Sequence, residues 1–369
     1  MTEDMMKQNA GYEMDAPVDL SGVTVEDPPV DLKKERKFCS KMGMNYFWFF
    51  LIANGLQILV TALIGALNPD MIINNYALYM ILAMAPMYVI GVPVLWALCK
   101  RQPAVKLEQH KMKFGSFMIL LMMCFGVMII GNIIGLIVNA VIGLITGTPV
   151  INSVEVMLGS STVWANILIA GICAPIFEEL MFRKFLVDRM VRYGEATAIV
   201  VSSLMFGLFH GNFSQFFYAA ALGCFFAFVY VKTSKLRYPI IIHMIINMSS
   251  TLMLPIIQMI DMEALNDLSS ASEMILQGNA STGLMNDMMA SMMDMIVPLM
   301  ILMLYEMVIY GMAIAGIILL IIKRKQFTCK AGEVTLPKGK RASVVWFNVG
   351  MILFTVCCLA LFVLTIASS

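Results

Sequence analysis

Charge is what this sequence has least of. Only 13% of its 369 residues are Asp, Glu, Lys or Arg, 60% are hydrophobic, and the mean hydropathy is +0.83. Soluble globular domains carry about a quarter charged residues and are about half apolar, so an ordinary water-soluble fold is excluded. A net charge of +1 offers no basic surface for a nucleic acid. Histidine is nearly missing, with three residues in all: His110, His210 and His243. None of the eight cysteines forms a CxxC pair, and most sit in apolar runs. They read as small buried hydrophobes rather than disulfide partners or metal ligands. The first forty or so residues contain no apolar stretch of the kind a cleavable signal peptide needs. No internal repeat is visible, which argues against a transporter built from inverted repeats.

What is present is a series of long apolar runs. A membrane-crossing helix needs about 20 apolar residues, and about nine segments qualify as candidates: 44–67, 76–99, 114–146, 161–187, 196–211, 214–231, 239–260, 296–322 and 343–366. The fold class expected is therefore all-α, a polytopic transmembrane helix bundle. The connecting segments alternate in charge. Basic residues fill the start of the chain (Lys33, Lys34, Arg36, Lys37, Lys41), then 100–113, 183–195, 232–238 and 323–342. No Lys or Arg occurs in 68–75, 147–160, 212–213 or 261–295. By the tendency of basic loops to stay inside, this unbroken alternation predicts nine spans with the N-terminus inside. The expected location is the plasma membrane of a prokaryote, as a multi-pass protein.

Residues 1–41 are polar, contain Pro28-Pro29 and end in the basic cluster. Such a segment cannot bury enough apolar surface to fold alone and is expected to be a flexible tail. Residues 42–369 form the membrane domain. Within it, 261–295 is expected to be an acidic extracytoplasmic loop, a solvated connector or else a lid.

Ionisable side chains inside spanning helices are costly and are functional candidates by default. His110, in a basic loop, reads as a solvated residue. His210, His243 and the adjacent pair Glu178-Glu179 all fall in apolar helices. Glu179 and Arg183 are i,i+4 and can pair on one face, which keeps Glu179 charged. Glu178 lies about 100° round the helix with no such local partner, which suits a general base or acid. His243 and Asn247 share a face at i,i+4, as do Phe206 and His210. With the turn between segments four and five centred on Gly194, Glu178 and His210 each lie 16 residues from it. In an antiparallel hairpin both then sit about 24 Å from the turn, at one level. His243 lies only about 10 Å past its own turn near Leu236, so it reaches the others only if the first hairpin projects further. The plain alternative is a buried Glu179–Arg183 salt bridge with the histidines as interhelical hydrogen-bond glue.

Glu178-Glu179-x-x-x-Arg183, Phe206-x-x-x-His210 and His243-x-x-x-Asn247 resemble the three motifs of the CPBP intramembrane endopeptidases. That family includes the type II CAAX prenyl endopeptidases and the bacterial Abi proteins linked to bacteriocin self-immunity. The resembling core runs over about 157–260. The resemblance implies a hydrolase that cuts a peptide bond in a membrane-associated peptide or protein within the lipid bilayer. By similarity, Glu178 would activate the attacking water with His210 assisting, and His243 and Asn247 would stabilise the oxyanion. Glu179, Arg183 and Phe206 would support the site. No His-Glu-x-x-His, the pattern that sets two zinc-binding imidazoles on one helix turn, is present. The expected reaction uses no cofactor, yet Glu178, His210 and His243 from separate helices could still bind a divalent metal such as zinc. Two readings from other classes stand beside this one: a non-catalytic membrane scaffold or bacteriocin-immunity protein, and a transporter using the same carboxylates as a relay.

Overall fold

Apolar runs this long must satisfy their backbone polar groups internally once water is excluded, and the helix is the local way to do so. The computed structural model describes residues 30–150, 152–260, 262–277 and 281–367, and among these there are helices and no strands. The main helices are α1 (Leu32–Leu67), α2 (Tyr76–Cys99), α3 (Phe114–Thr146), α4 (Val163–Tyr193), α5 (Glu195–Phe209), α6 (Phe213–Thr233), α7 (Arg237–Gln258), α8 (Met262–Leu276), α9 (Thr282–Lys323) and α10 (Val349–Ala367). Eight of them, all but α5 and α8, are long and apolar enough to cross a membrane. The chain is a multi-pass helical bundle.

Three expectations meet a different outcome in detail. The segment expected at 196–211 forms α5, with 15 residues. At 1.5 Å per residue this is about 22 Å, short of the roughly 30 Å hydrocarbon core. Most of α5 is buried within the bundle, so its length is set by protein neighbours rather than by lipid. Residues 1–29 of the expected tail lie outside the described residues, but α1 already begins at Leu32, well before the tail boundary expected at 41. Leu32 to Lys37 are mostly strong helix formers, and Glu35, Cys39 and Met42 on one face are buried against the bundle. The acidic stretch 261–295 is largely helical, as α8 and the first turns of α9, because its Met, Ala, Leu and Glu residues favour the helix; Asp261 itself is outside the described residues. With 42 residues, α9 is about 63 Å long, twice the hydrocarbon thickness.

The core that carries the site lies among α3, α6, α7 and α9. Leu121, Cys124, Phe125 and Met128 meet Leu222, Phe226 and Val229, with Ile242, Ile246 and Ala313 closing the cluster. Two prolines shape the helices beside it. In α2 the wide π segment Met87–Gly91 ends two residues before Pro93, and in α4 the π segment Ile167–Cys173 ends two residues before Pro175. A proline inside a helix lacks the N–H of the ladder and clashes with the carbonyl behind it, and a wider turn relieves that clash. A second π segment in α4, Leu180–Val187, starts directly after Glu179. Gly194, at φ +100, makes the turn from α4 to α5, as the hairpin argument required.

Candidate active site

The middle of α4 supplies three ionisable groups. Glu179 and Arg183 are both fully buried, and the Arg183 Nε lies 2.9 Å from the Glu179 Oε2. This contact is a charge pair rather than an aligned hydrogen bond, since neither atom has a hydrogen-bond partner by geometry. The i,i+4 pairing expected from spacing is present. The guanidinium is held elsewhere too: its Nη1 donates to the Ser202 Oγ of α5 at 3.2 Å, and Ser202 donates in turn to the Phe182 carbonyl at 2.9 Å. The rings of Phe206 and Phe226 flank it at 4.8 and 5.5 Å. A buried cation surrounded by carboxylate and aromatic faces replaces part of its lost hydration.

α7 brings the decisive group. His243 Nδ1 lies 3.0 Å from Glu179 Oε1, and its Nε2 lies 3.7 Å from Glu178 Oε2. One imidazole therefore sits between the two adjacent glutamates, and Glu179 serves both Arg183 and His243. A carboxylate oxygen accepts, so Nδ1 is the donor in that contact. Nε2 faces Glu178. Glu178 is buried, and its Oε2 has no hydrogen-bond partner among the described residues. The ring of His243 is stacked on Phe226 at 4.8 Å and 26°, and meets Phe206 edge-on at 5.8 Å.

His210 follows the last residue of α5, where Gly211 at φ +69 turns the chain toward α6. Its Nδ1 is 2.8 Å from the Phe206 carbonyl, which again makes Nδ1 the donor. The ring packs edge-on against Phe206 at 4.9 Å. Phe206 thus touches both histidines and Arg183. His210 makes no hydrogen bond or ion pair with Glu178, and it is only half-buried.

Asn247 is not drawn into this cluster. Its Nδ2 donates to the Ala170 carbonyl at 2.8 Å. The reason lies in the π segment of α4. Ala174 N–H bonds back five residues to Ile169, so the next bond in that register would run from residue 175 to Ala170. Residue 175 is proline and has no N–H. Asn247 supplies the missing donor and ties α7 to α4 at the level of the site.

Two contributors escape motif reasoning. Phe226 comes from α6, which carries none of the motifs, and no sequence signal marks it. Ser202 could have been found: Ser202, Phe206 and His210 fall at i, i+4 and i+8 on one face of α5. Among the described residues, no three His, Cys, Asp or Glu side chains are grouped to hold an ion. Glu178, His210 and His243 do not converge on one point, and both Nδ1 atoms are committed to protein acceptors. The residues as placed do not fit a three-ligand centre.

Residues 160–249 match the family model described as type II CAAX prenyl endopeptidase Rce1-like. This segment is similar to that family over about a quarter of the chain. It contains every residue of the buried cluster, from Glu178 to His243, together with Asn247. The chain is 32% identical over 82 residues to YdiL of Bacillus subtilis (strain 168), whose name describes it as a candidate membrane peptidase. It is 35% identical over 88 residues to the membrane-embedded CAAX protease MroQ of Staphylococcus aureus (strain USA300). Each match covers 22% of this chain and 34% or 36% of the relative, about a third of its length. No solved structure matches the chain significantly. The matched segment thus lies within a multi-pass membrane protein with bacterial relatives, and α1–α3, α8, α9 and α10 lie outside it.

Proposed function

We propose that the Rce1-like segment is the active centre of an intramembrane endopeptidase, which hydrolyses a peptide bond in a membrane-associated peptide or protein. The observation that carries this reading is the buried series Glu178–His243–Glu179–Arg183. Glu178 Oε2 and His243 Nε2 lie 3.7 Å apart, and with the ring neutral and Nδ1 protonated both are acceptors. One water molecule can donate a hydrogen to each, with contacts near 2.8 Å. Its oxygen lone pairs are then directed away from both groups, toward a substrate carbonyl. Glu178 takes a proton as the water oxygen bonds to the carbonyl carbon, and returns it to the amine nitrogen when the C–N bond breaks. One water is consumed and Glu178 is restored. Glu179, fixed by Arg183, holds the His243 ring in the tautomer that keeps Nε2 open. His210, half-buried at the end of α5, is assigned to the substrate side, where its Nε2 assists at the carbonyl oxygen or leaving nitrogen. Asn247 is assigned to helix positioning rather than to the oxyanion. The protein's own groups complete this cycle, and activity is expected to persist after treatment with a chelator.

The test is a comparison of peptide termini in membranes from cells carrying wild-type protein or Glu178→Gln. Termini present with the wild type and lost with Glu178→Gln are expected, at equal protein levels. Identical termini in the two, together with cleavage surviving His243→Ala, would overturn the protease reading and favour a non-catalytic scaffold.

A further inference from the structure

The start of α1 carries charge that the proposed active site does not use. Lys33, Arg36, Lys37 and Lys41 fall at i, i+3, i+4 and i+8, so they share one helical face. The opposite face is the buried one, and there Glu35 accepts from Arg192 at 3.3 Å and from the Tyr193 hydroxyl at 2.6 Å. The carboxylate is thus engaged inward, while the four cations stay outside.

α10 crosses α1 at this height with the two backbones in contact. A Cβ on Gly350 would lie 1.8 Å from the Ser40 carbonyl oxygen, and one on Gly43 would lie 2.3 Å from the Met351 nitrogen, so both positions need glycine. The crossing is fixed by Gly350 N–H donating to Ser40 Oγ at 3.1 Å and by Arg36 Nη2 donating to the Phe347 carbonyl at 2.9 Å. Beside it lies an open surface groove of about 510 Å³, lined by the four cations together with Ser40, Met44, Asn348 and Val349.

Below the cations the surroundings turn apolar in two stripes. On α1, Lys37, Lys41, Met44, Trp48 and Leu51 continue one face, and the last two are exposed. On α10, Val349, Ile352 and Val356 are exposed at i, i+3 and i+7. α1 has 36 residues and is about 54 Å long, longer than the roughly 30 Å hydrocarbon core, and its basic first turns are the end suited to the headgroup layer. Trp48, half-exposed two turns beyond Lys41, is of the type that gathers at the membrane–water boundary.

We propose that this open groove is a binding site for an anionic phospholipid, with the phosphate headgroup among Lys33, Arg36, Lys37 and Lys41 and the acyl chains along the two apolar stripes. Charge complementarity selects the anionic headgroup. The stripes select a lipid over a free phosphate, which has nothing to place on them.

The experiment uses the full-length chain purified in detergent. Retention of phosphatidylglycerol is counted by native mass spectrometry and its affinity taken from thermal-shift titration. Neither Lys37 nor Lys41 makes a hydrogen bond or ion pair among the described residues, so Lys37→Ala/Lys41→Ala is expected to fold. At about 1 kcal/mol per cation, that double variant should bind phosphatidylglycerol roughly 25-fold more weakly. A control with the same charge loss elsewhere, Lys111→Ala/Lys113→Ala, should bind as the wild type does. Phosphatidylcholine should not be retained, and inorganic phosphate should not displace the lipid at equal concentration. Wild-type affinity in the Lys37/Lys41 variant, an equal loss in the control, or equal retention of phosphatidylcholine would each overturn the site. Displacement by inorganic phosphate at the lipid's own concentration would overturn the lipid as its occupant.

Discussion

Two groups of buried charge lie along α4, and they are built differently. Toward the Tyr193 end, Asp188 accepts from the Tyr230 hydroxyl at 2.8 Å and faces Lys184 at 2.7 Å. Arg189 there donates to the carbonyls of Cys99 and Phe185, both at 2.9 Å. Glu35 is shared by Arg192 and Tyr193, and Glu195 is paired with Lys232. Each carboxylate in this group has its partners. Around Glu178 the pattern is the reverse: two carboxylates stand on adjacent residues, one guanidinium serves one of them, and Glu178 Oε2 lacks a hydrogen-bond partner among the described residues. Buried polar groups are normally satisfied because leaving them unpaired costs stability. The satisfied set fixes one end of the hairpin, and the unsatisfied set is where chemistry is expected.

That contrast can be broken by substitution. The largest effect is expected from Glu178→Gln, which keeps shape and removes the base. Cleavage should fall by about 10³-fold or more, within reach of a general-base role, while the melting temperature stays within a few degrees. A matched loss of activity and stability would erase the distinction between the two groups. Next comes Arg183→Ala, which strands Glu179 in the interior. Removing one partner of a buried pair costs about 3–5 kcal/mol, measurable as a collapse of the folded fraction after detergent extraction. Glu35→Gln tests the satisfied set. It should lower stability by about 1–3 kcal/mol in thermal unfolding while the turnover of folded protein stays at the wild-type value. The smallest effect is expected from Asn247→Ala. It leaves the Ala170 carbonyl without its donor, for which interhelical hydrogen bonds in membranes suggest a cost of about 1 kcal/mol. Turnover should fall severalfold through a loosened α7, rather than by the thousandfold expected of an oxyanion donor.

The sequence by itself determined a good deal. Hydrophobic runs dictated long helices because water-free surroundings leave the backbone little alternative, and eight of the expected segments became helices long enough to span. The i,i+4 spacing of Glu179 and Arg183 was sufficient for their pairing, since one helix turn carries that geometry within itself. The three short motifs sufficed to show the likeness of residues 160–249 to a known family. What only the tertiary structure decided is how the helices stand against each other. Rise per residue placed His243 far from the level of Glu178, because counting from a turn cannot show how far each hairpin projects. The packing of α7 on α4 put that imidazole between Glu178 and Glu179. It also gave Asn247 to the carbonyl left open by Pro175, and brought Phe226 across from a helix without a motif. Local spacing fixes what one helix does to itself, whereas the site is made of contacts between residues tens of positions apart, whose alignment depends on every interface in the bundle.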